Sequence, residues 1–201
     1  DMEAAFSQGL ANTPMANAGI RVVSGNFTLA RPVGIVDGVD FVYSGLVRKV
    51  DAASIRHALD NKQIVLLSNI GYSATGEAFN LAMEEVAAAT AMALNADKLV
   101  FLAEVPGVRG PDGRIQTEIS EERARSVLAQ PDLALPLRIY LEAALKACEG
   151  GVARSHIVPF EVDGSVLLEF FLHDGVGTMV VEETLEALRE RGLWDPERCF
   201  C

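Results

Sequence analysis

The chain has 201 residues, half of them apolar and only 6% aromatic, and carries a formal net charge of −11. Such a length can bury the core of one α/β domain. The acidic balance excludes a nucleic-acid binder that works through a basic face, and no run of ~18 apolar residues predicts a membrane span.

The first third of the chain is predicted to begin with a helix and to continue in short strands. Residues 1–10 have the pattern of an amphipathic helix, and residues 11–19 carry the Asn and Pro residues of a turn. Between residues 20 and 50, short apolar stretches alternate with Gly and Pro, which is typical of β-strands. Hairpin turns are predicted at Gly25-Asn26, Asp37-Gly38 and Ser44-Gly45.

The middle of the chain predicts a βαβ unit. Asp51 is a good N-cap for a helix over residues 52–59. A strand (64–67), a glycine-containing loop (71–76), a small-residue helix (81–94) and a second strand (99–102) then follow in order. Both predicted strands are short and apolar on both faces, as buried parallel strands are. Sheets of this kind bind small ligands at the carboxyl ends of their strands.

The second half of the chain alternates helices and strands. A hairpin turn is predicted at 111–113, followed by a helix from Ser120 to about 129, a helix over 137–149 and a strand over 156–158. A helix over 164–172 is predicted next, with Val166, Leu167, Phe170 and Phe171 facing inward. A tight loop at 174–178, a strand over 179–181 and an exposed helix over 182–191 complete the predicted elements. The whole pattern predicts the α/β class, as a three-layer α/β/α sandwich with a mainly parallel sheet and an inserted β-hairpin region.

The cysteines give no sign of a metal site. Cys148 falls among alanines in a predicted helix and is expected to be a buried thiol. Cys199 and Cys201 lie two residues apart, but no His or further Cys stands near to complete a ligand set. The odd cysteine count, with no signal-peptide pattern in the first residues, favours a reducing cytoplasm.

A few charged and glycine residues could form a site, although each has a structural interpretation as well. Glu169 lies in the apolar stretch VLLEFF, where a carboxylate is costly unless it is paired. It could instead lie on a solvated face or in a structural ion pair. His156 could be a satisfied core histidine, and Gly175 could serve only a tight turn. The 71–76 loop resembles a phosphate cradle, but no Gly-Lys-Ser/Thr follows it.

Several stretches of this sequence resemble the amino-acid-kinase-type domain of bacterial N-acetylglutamate synthase. They are residues 22–51, 67–87, 94–102, 144–158 and 163–178. The resemblance implies an amino-acid-kinase-like fold. It also implies an enzyme that transfers acetyl from acetyl-CoA to the amine of L-glutamate in the first step of arginine synthesis. In that family the acetyltransferase chemistry lies in a separate C-terminal domain.

The resemblance further implies that this chain is truncated at both ends. Residues 1–181 would form the arginine-sensing domain without its N-terminal part, and residues 182–201 would form a linker helix and tail. The chain would then hold no catalytic residue, no metal and no cofactor, and acetyl-CoA would be a substrate of the full-length enzyme. The full enzyme is expected to be a cytoplasmic homo-oligomer that binds L-arginine as effector and L-glutamate as substrate, and neither nucleic acid nor membrane.

The arginine site implied by the resemblance lies mainly in the last third of the chain. The matching residues are His156, Ile157, Glu169 and Gly175, with Lys98 a weaker match that could be plain solvated charge. A carboxylate suits the cationic groups of arginine, and backbone N–H groups suit its carboxylate.

The nearest alternative is acetylglutamate kinase, which phosphorylates N-acetylglutamate with ATP. The helix start of that kinase carries Asn-x-Asn-Ala-Asp, and the matching positions here are Asn80, Ala82 and Glu84. A catalytic lysine of the kinase falls at Tyr140, and Arg138 nearby could mimic only its charge. These departures predict the loss of phosphoryl transfer. A third possibility is a free-standing arginine-binding regulatory module.

Overall fold

The computed structural model describes residues 2–8, 19–171 and 175–184. The chain divides into two units, Asp1–Leu94 and Asn95–Cys201. Most of the predicted 11–19 turn lies outside the described residues, as do Cys199, Cys201 and His173. Residues 182–184 are not helical, and the rest of the helix predicted there also lies outside the described residues.

The first unit begins with a short helix and continues mainly in strands. Its elements are α1 (Met2–Gln8), β1 (Arg21–Ser24), β2 (Thr28–Pro32), β3 (Ile35–Val36), β4 (Val39–Asp40), β5 (Gly45–Val50), α2 (Ala52–Asp60), β6 (Gln63–Leu66), β7 (Ile70–Tyr72), β8 (Ala78–Asn80) and α3 (Met83–Leu94). β1 and β6 pair in parallel, and a four-stranded sheet has the order β5-β2-β7-β8. β2 lies antiparallel to β5 and parallel to β7, so this sheet is mixed.

The hairpin region of this unit is only partly as predicted. The Asp37-Gly38 turn is confirmed, because it joins the antiparallel strands β3 and β4, and both residues have the positive φ of a type I′ turn. The other two hairpins are wrong. Gly25-Asn26 joins β1 and β2, which pair with β6 and β5. Ser44 forms a parallel bridge to Asn80 instead of turning a hairpin.

Residues 71–76 were predicted to form a single glycine-containing loop. The structure shows instead that they are part of a second hairpin. Gly71 lies in β7, which pairs antiparallel with β8. The turn between them is closed by the Ser73 N–H, which donates to the Glu77 carbonyl at 2.8 Å. Gly71 is needed for packing, because a Cβ there would lie 2.8 Å from Leu81 and 2.9 Å from Ala30. This local geometry is that of a packed strand, so the resemblance to a phosphate cradle is wrong.

The helix after β5 begins where its capping residue predicts. Asp51 Oδ1 accepts the N–H of Ser54 at 3.2 Å, and Oδ2 accepts the Ser54 hydroxyl at 2.6 Å. The hydrogen bond from the Ser54 hydroxyl is the main cause that lowers the pKa of Asp51.

A hydrophobic core cluster of the first unit is small and apolar. It consists of Ala30, Phe79, Leu81 and Val86, with Val47 and Leu67 packed against it.

The second unit is built around one mixed sheet. Its elements are β9 (Lys98–Ala103), β10 (Glu118–Ser120), α4 (Glu121–Leu128), α5 (Leu135–Glu149), β11 (Arg154–Pro159), α6 (Ser165–Phe171) and β12 (Thr178–Val181). The strand order is β10-β12-β11-β9. β9 and β11 are parallel, as are β10 and β12, whereas β11 and β12 are antiparallel. The predicted α/β class with an inserted hairpin is thus confirmed.

Capping residues and helix-breaking residues set the helices of this unit. Ser120 accepts the N–H of Arg123 at 3.2 Å and begins α4, as predicted. α5 begins two residues earlier than predicted, because Pro136 is compatible with the first turn of a helix. Cys148 of α5 is buried as expected, with its thiol 3.3 Å from Ser155 Oγ. Burial raises the pKa of this thiol.

The last helix of the described residues, α6, turns a polar face inward. Ser165 is buried, and Glu169 lies one turn further along the same face. The prediction that Val166, Leu167 and Phe171 point inward is wrong, since Leu167 is 62% and Phe171 80% exposed. The pattern misled because α6 has only seven residues, and its inward face is decided by the partners of Glu169. Among the described residues, no helix has the length and apolar character needed to cross a membrane.

Candidate functional site

The carboxylate of Glu169, the fifth residue of α6, is buried and has hydrogen-bond partners on both oxygens. Its side chain is 4% exposed. Oε1 lies 2.8 Å from Nδ1 of His156, whose side chain is 6% exposed. Oε2 accepts the backbone N–H groups of Val176 at 2.8 Å and Gly177 at 3.1 Å. The buried charge is therefore tolerated, because both carboxylate oxygens have donors.

These partners keep the carboxylate ionised. Burial is the largest single influence on the pKa of Glu169 and raises it. The hydrogen bonds from His156, Val176 and Gly177 act in the opposite direction and together outweigh burial, so that the pKa lies below its ordinary value. At neutral pH the site therefore contains a buried negative charge.

His156 joins this charge to the strand β11. An ionised carboxylate only accepts hydrogen bonds, so the proton on the shared contact belongs to His156 Nδ1. The other ring nitrogen, Nε2, is buried and has no hydrogen-bond partner among the described residues. The ring also lies 5.7 Å from the ring of Phe170, measured between centroids. His156 is thus satisfied on one side only.

Glycines let the backbone approach this carboxylate closely. A Cβ on Gly175 would lie 2.8 Å from Glu169 Oε2, and the φ of Gly175 is +21°. A Cβ on Gly177 would overlap the carbonyl oxygen of Ile157. The side chain of Ile157 is wholly buried, and it is the backbone carbonyl of Ile157 that lies next to Gly177.

Lys98, the fifth residue predicted for the site, contacts the aromatic ring of Phe170. Lys98 begins β9 directly opposite Arg154 of β11. Its Nζ lies 4.7 Å from the ring centroid of Phe170, in a cation–π contact. The structure therefore brings His156, Ile157, Glu169 and Gly175 together, and Phe170 links Lys98 to them. Val176, Gly177 and Phe170 were not among the residues predicted for this site. Backbone donors have no side-chain signal, although the Gly-Val-Gly spacing indicates a tight turn.

The positions that correspond to kinase catalytic residues have other roles here. Asn80 ends β8, and its Oδ1 accepts from Asn69 Nδ2 at 2.9 Å. Ala82 is exposed, and Glu84 is half-buried in the first turn of α3. All three residues lie in the first unit, and none of them supplies the positive charge that phosphoryl transfer uses.

Tyr140 and Arg138, in the second unit, are also occupied. The Tyr140 hydroxyl donates to Glu104 Oε2 at 2.8 Å, and its ring lies 5.8 Å from that of Phe101. The guanidinium of Arg138 donates to the carbonyls of Leu128 and Gln130, both at 2.9 Å. Arg138 thus satisfies carbonyl groups at the end of α4.

A cleft of 720 Å³ lies at the carboxyl ends of β1 and β6 in the first unit. It is lined mainly by Ser24, Gly25, Asn26, Leu66, Leu67, Ser68, Ile70 and Tyr72. Ser24 Oγ donates to Glu3 Oε1 at 2.5 Å, so the acid at its rim is already engaged. This is where an α/β sheet places ligands. In the described part of the chain, no three His, Cys, Asp or Glu side chains are grouped to hold a metal ion.

Curated relatives match nearly the whole of this chain. The amino-acid acetyltransferase of Ralstonia nicotianae is 59% identical over 195 residues, which are 97% of this chain and 43% of that protein. The chain therefore spans less than half the length of this relative. The alignment does not depend on one motif, because it extends through both units.

Solved structures of a similar protein share the fold. N-acetylglutamate synthase from Neisseria gonorrhoeae, complexed with coenzyme A and N-acetylglutamate, matches with a TM-score of 0.78 and 36% identity over 88% of this chain and 45% of that one. The complex of the Neisseria gonorrhoeae enzyme with coenzyme A and L-arginine also gives a TM-score of 0.78, at 39% identity, over 88% of this chain and 40% of that one. The sequence matches the amino acid kinase family over residues 2–159. Together with the α/β fold, this match shows that the chain belongs to the amino acid kinase family.

Proposed function

We propose that this chain is the kinase-like, arginine-binding part of an N-acetylglutamate synthase. The observation that carries the proposal is the buried Glu169 carboxylate beside the backbone N–H groups of Val176 and Gly177. Arginine presents a guanidinium and a carboxylate, and this place holds groups of the two kinds that pair with them, a carboxylate and backbone N–H groups. The likeness to the Neisseria gonorrhoeae enzyme complexed with L-arginine supports the same assignment.

In this proposal the kinase-like part regulates, and another part of the protein performs the reaction. The full-length enzyme transfers acetyl from acetyl-CoA to the amine of L-glutamate. The name of the Ralstonia relative, of which this chain spans 43%, supports acetyl transfer as the reaction. The present chain contributes neither catalytic residues nor an acetyl-CoA site to this proposal. Homo-oligomer formation by the full-length protein and its place in the cytoplasm stay predictions.

Binding of arginine to the purified chain tests the site. We expect calorimetry to detect L-arginine binding to the wild-type chain and to find it at least ~10-fold weaker for Glu169→Ala, because removal of a charge-assisted acceptor is costly. Glu161→Ala is the matched control, since Glu161 is an exposed acid of the same unit. Unchanged affinity for Glu169→Ala would reject Glu169 as an arginine ligand.

The reaction itself needs a separate test on the full-length protein. We expect it to release free CoA from acetyl-CoA in the presence of L-glutamate. Turnover of ATP with N-acetylglutamate would instead favour acetylglutamate kinase. The Tyr140 contact with Glu104 and the engaged guanidinium of Arg138 both argue against that kinase activity. A gene without an acetyltransferase domain in frame would favour a free-standing arginine-binding module.

A further inference from the structure

The outward face of α6 is apolar and exposed. Leu167 and Phe171 lie one turn apart on this face, and both are mostly exposed. Phe160 and Val162, in the connection from β11 to α6, are exposed as well. Single apolar residues on a surface are ordinary, but two aromatic and two aliphatic side chains within residues 160–171 form a cluster. Such a cluster is typical of a surface that a partner covers.

One residue of β9 lies on the same side of the sheet as α6. The Nζ of Lys98 lies 4.7 Å from the ring centroid of Phe170, so Lys98 faces α6. Side chains alternate between the two faces of a strand, so Leu102, four residues further on, also lies on that face. Leu102 is exposed. The opposite face of β9 carries Phe101, whose ring contacts Tyr140 of α5.

The described chain ends near the C-terminal end of α6. Phe170 of α6 contacts Lys98, and Lys98 pairs with Arg154 in the sheet. Val180 of β12 pairs with Ser155, so β12 ends at the same end of the sheet. A segment of protein that follows β12 is therefore tethered beside α6. Tethering raises the effective concentration of such a segment at a nearby surface.

Acidic residues border these apolar side chains. Glu161 and Asp163 lie between Phe160 and α6 in the sequence and are exposed. Glu182 and Glu183, directly after β12, are exposed as well. Two copies of such a surface would bring like charges together, which opposes self-association. The matching partner has an apolar centre and basic residues around it.

We propose that the α6 surface, formed by Leu102, Phe160, Val162, Leu167 and Phe171, is where the acetyltransferase part of the full-length enzyme docks. The inference rests on the proposed function, in which another part of the protein performs the reaction. The Ralstonia relative is long enough to include such a part, because this chain spans only 43% of it.

This placement connects the docking surface to the proposed arginine site. α6 has only seven residues, and Glu169 lies on its inward face with a side chain that is 4% exposed. Arginine at Glu169 and the docked partner would therefore contact one short helix from its two sides. Binding on one side can then alter the fit on the other, which is the coupling that regulation requires.

Hydroxyl-radical footprinting of the full-length protein tests the docking. Leu167 and Leu135 are a matched pair, because they are 62% and 66% exposed in the same unit. We expect Leu167 to be oxidised at least ~5-fold more slowly than Leu135, because the centre of an interface excludes water. Equal oxidation of the two leucines would overturn the docking.

The same measurement on the 201-residue chain identifies what covers the surface. We expect Leu167 and Leu135 to be oxidised at similar rates there, because the acetyltransferase part is missing. Slow oxidation of Leu167 in this chain would overturn the proposed partner, since a second copy or a segment of this chain would then cover the α6 surface.

A double variant, Leu167→Ser with Phe171→Ser, tests the coupling. Both side chains are exposed, so calorimetric affinity for L-arginine should stay within about twofold of the wild type. In the full-length protein, we expect the change in CoA release that saturating L-arginine produces to fall at least ~5-fold. Leu135→Ser is the control and should keep the full response. A full response in the double variant would overturn the coupling.

These measurements also separate this inference from the proposed function. If L-arginine fails to bind the wild-type chain, the arginine site is rejected, while footprinting still judges the docking. If L-arginine binds but Leu167 and Leu135 are oxidised equally in the full-length protein, the arginine site stands and the docking is wrong.

Discussion

Thr178 Oγ1 accepts the backbone N–H of Val108 at 2.8 Å, across 70 residues of sequence. Both residues are almost wholly buried, at 0% and 1% exposure. The contact ties the loop after β9 to the first residue of β12, next to Gly177 of the proposed site. A Cβ on Gly107 would overlap the same hydroxyl, so the approach of this loop depends on a glycine.

Thr178→Val should therefore destabilise the chain. Valine keeps the shape of threonine but leaves the Val108 N–H buried without an acceptor, which costs about 1–3 kcal/mol. Thr178→Ser is the matched variant, because it keeps the hydroxyl and loses only a methyl group, so it should retain the hydrogen bond. Urea unfolding of both variants measures the difference, and equal destabilisation would show that the hydroxyl does not matter.

Gly177→Ala should be more harmful than an ordinary glycine substitution. The new Cβ would overlap backbone atoms of Ile157 in a paired strand, which cannot move aside without breaking the sheet. Overpacking of this kind costs about 1–3 kcal/mol. Gly164→Ala is the control, since Gly164 has a positive φ but open space around its missing Cβ. If thermal unfolding shows Gly177→Ala to be no less stable than Gly164→Ala, the close approach to Ile157 does not determine the cost.

Glu169→Gln should make the stability of the chain less sensitive to acid. The folded-state pKa of Glu169 lies below its ordinary value of 4.5, so the unfolded chain binds the proton more readily than the folded chain. The contribution of this carboxylate to stability is therefore fully present above pH 4.5, and it is lost as the pH falls through the folded-state pKa. The wild-type chain and the variant should differ most above pH 4.5 and converge as the pH falls through the folded-state pKa.

Chemical unfolding at a series of pH values measures this difference. Glu161→Gln should follow the wild-type profile throughout, because Glu161 is exposed. A constant difference between Glu169→Gln and the wild-type chain at all pH values would mean that the charge of Glu169 contributes nothing.

Ser120→Ala should destabilise α4. The Ser120 hydroxyl accepts the N–H of Arg123, and loss of an N-cap of this kind costs about 1 kcal/mol. Ser126→Ala is a control in the same helix, because the Ser126 hydroxyl donates back to the Glu122 carbonyl and alanine is the better helix former. Circular dichroism during urea unfolding compares the two, and a larger loss for Ser126→Ala would contradict the capping role.

Local signals in the sequence predicted the helix starts well. Asp51 and Ser120 each cap the helix that their position indicates, since capping depends on neighbours only three residues away. Strand pairing was less predictable, because the partners of a strand are set by distant residues. Gly25-Asn26 has the composition of a hairpin turn, yet β1 pairs with β6 and β2 with β5.

The candidate site shows the same division between local and distant information. Glu169 could be singled out from its apolar surroundings alone, and a partner could be expected because a bare buried carboxylate is unfavourable. The partners Val176 and Gly177 could not be identified, since any residue offers a backbone N–H. The orientation of α6 followed from these contacts and not from its apolar side chains, which explains why Leu167 and Phe171 are exposed.

The strand order β10-β12-β11-β9 also constrains the timing of folding. β12 is the last of these strands in the sequence, yet it lies between two strands that are made earlier. During synthesis β9 and β11 can pair first, whereas β10 gains its partner only after Val181 has been added. If synthesis stops before Thr178, the sheet is incomplete, and the backbone N–H and C=O groups at its strand edges stay unpaired and can pair with another chain. Nascent chains of that length should be the ones most dependent on chaperones.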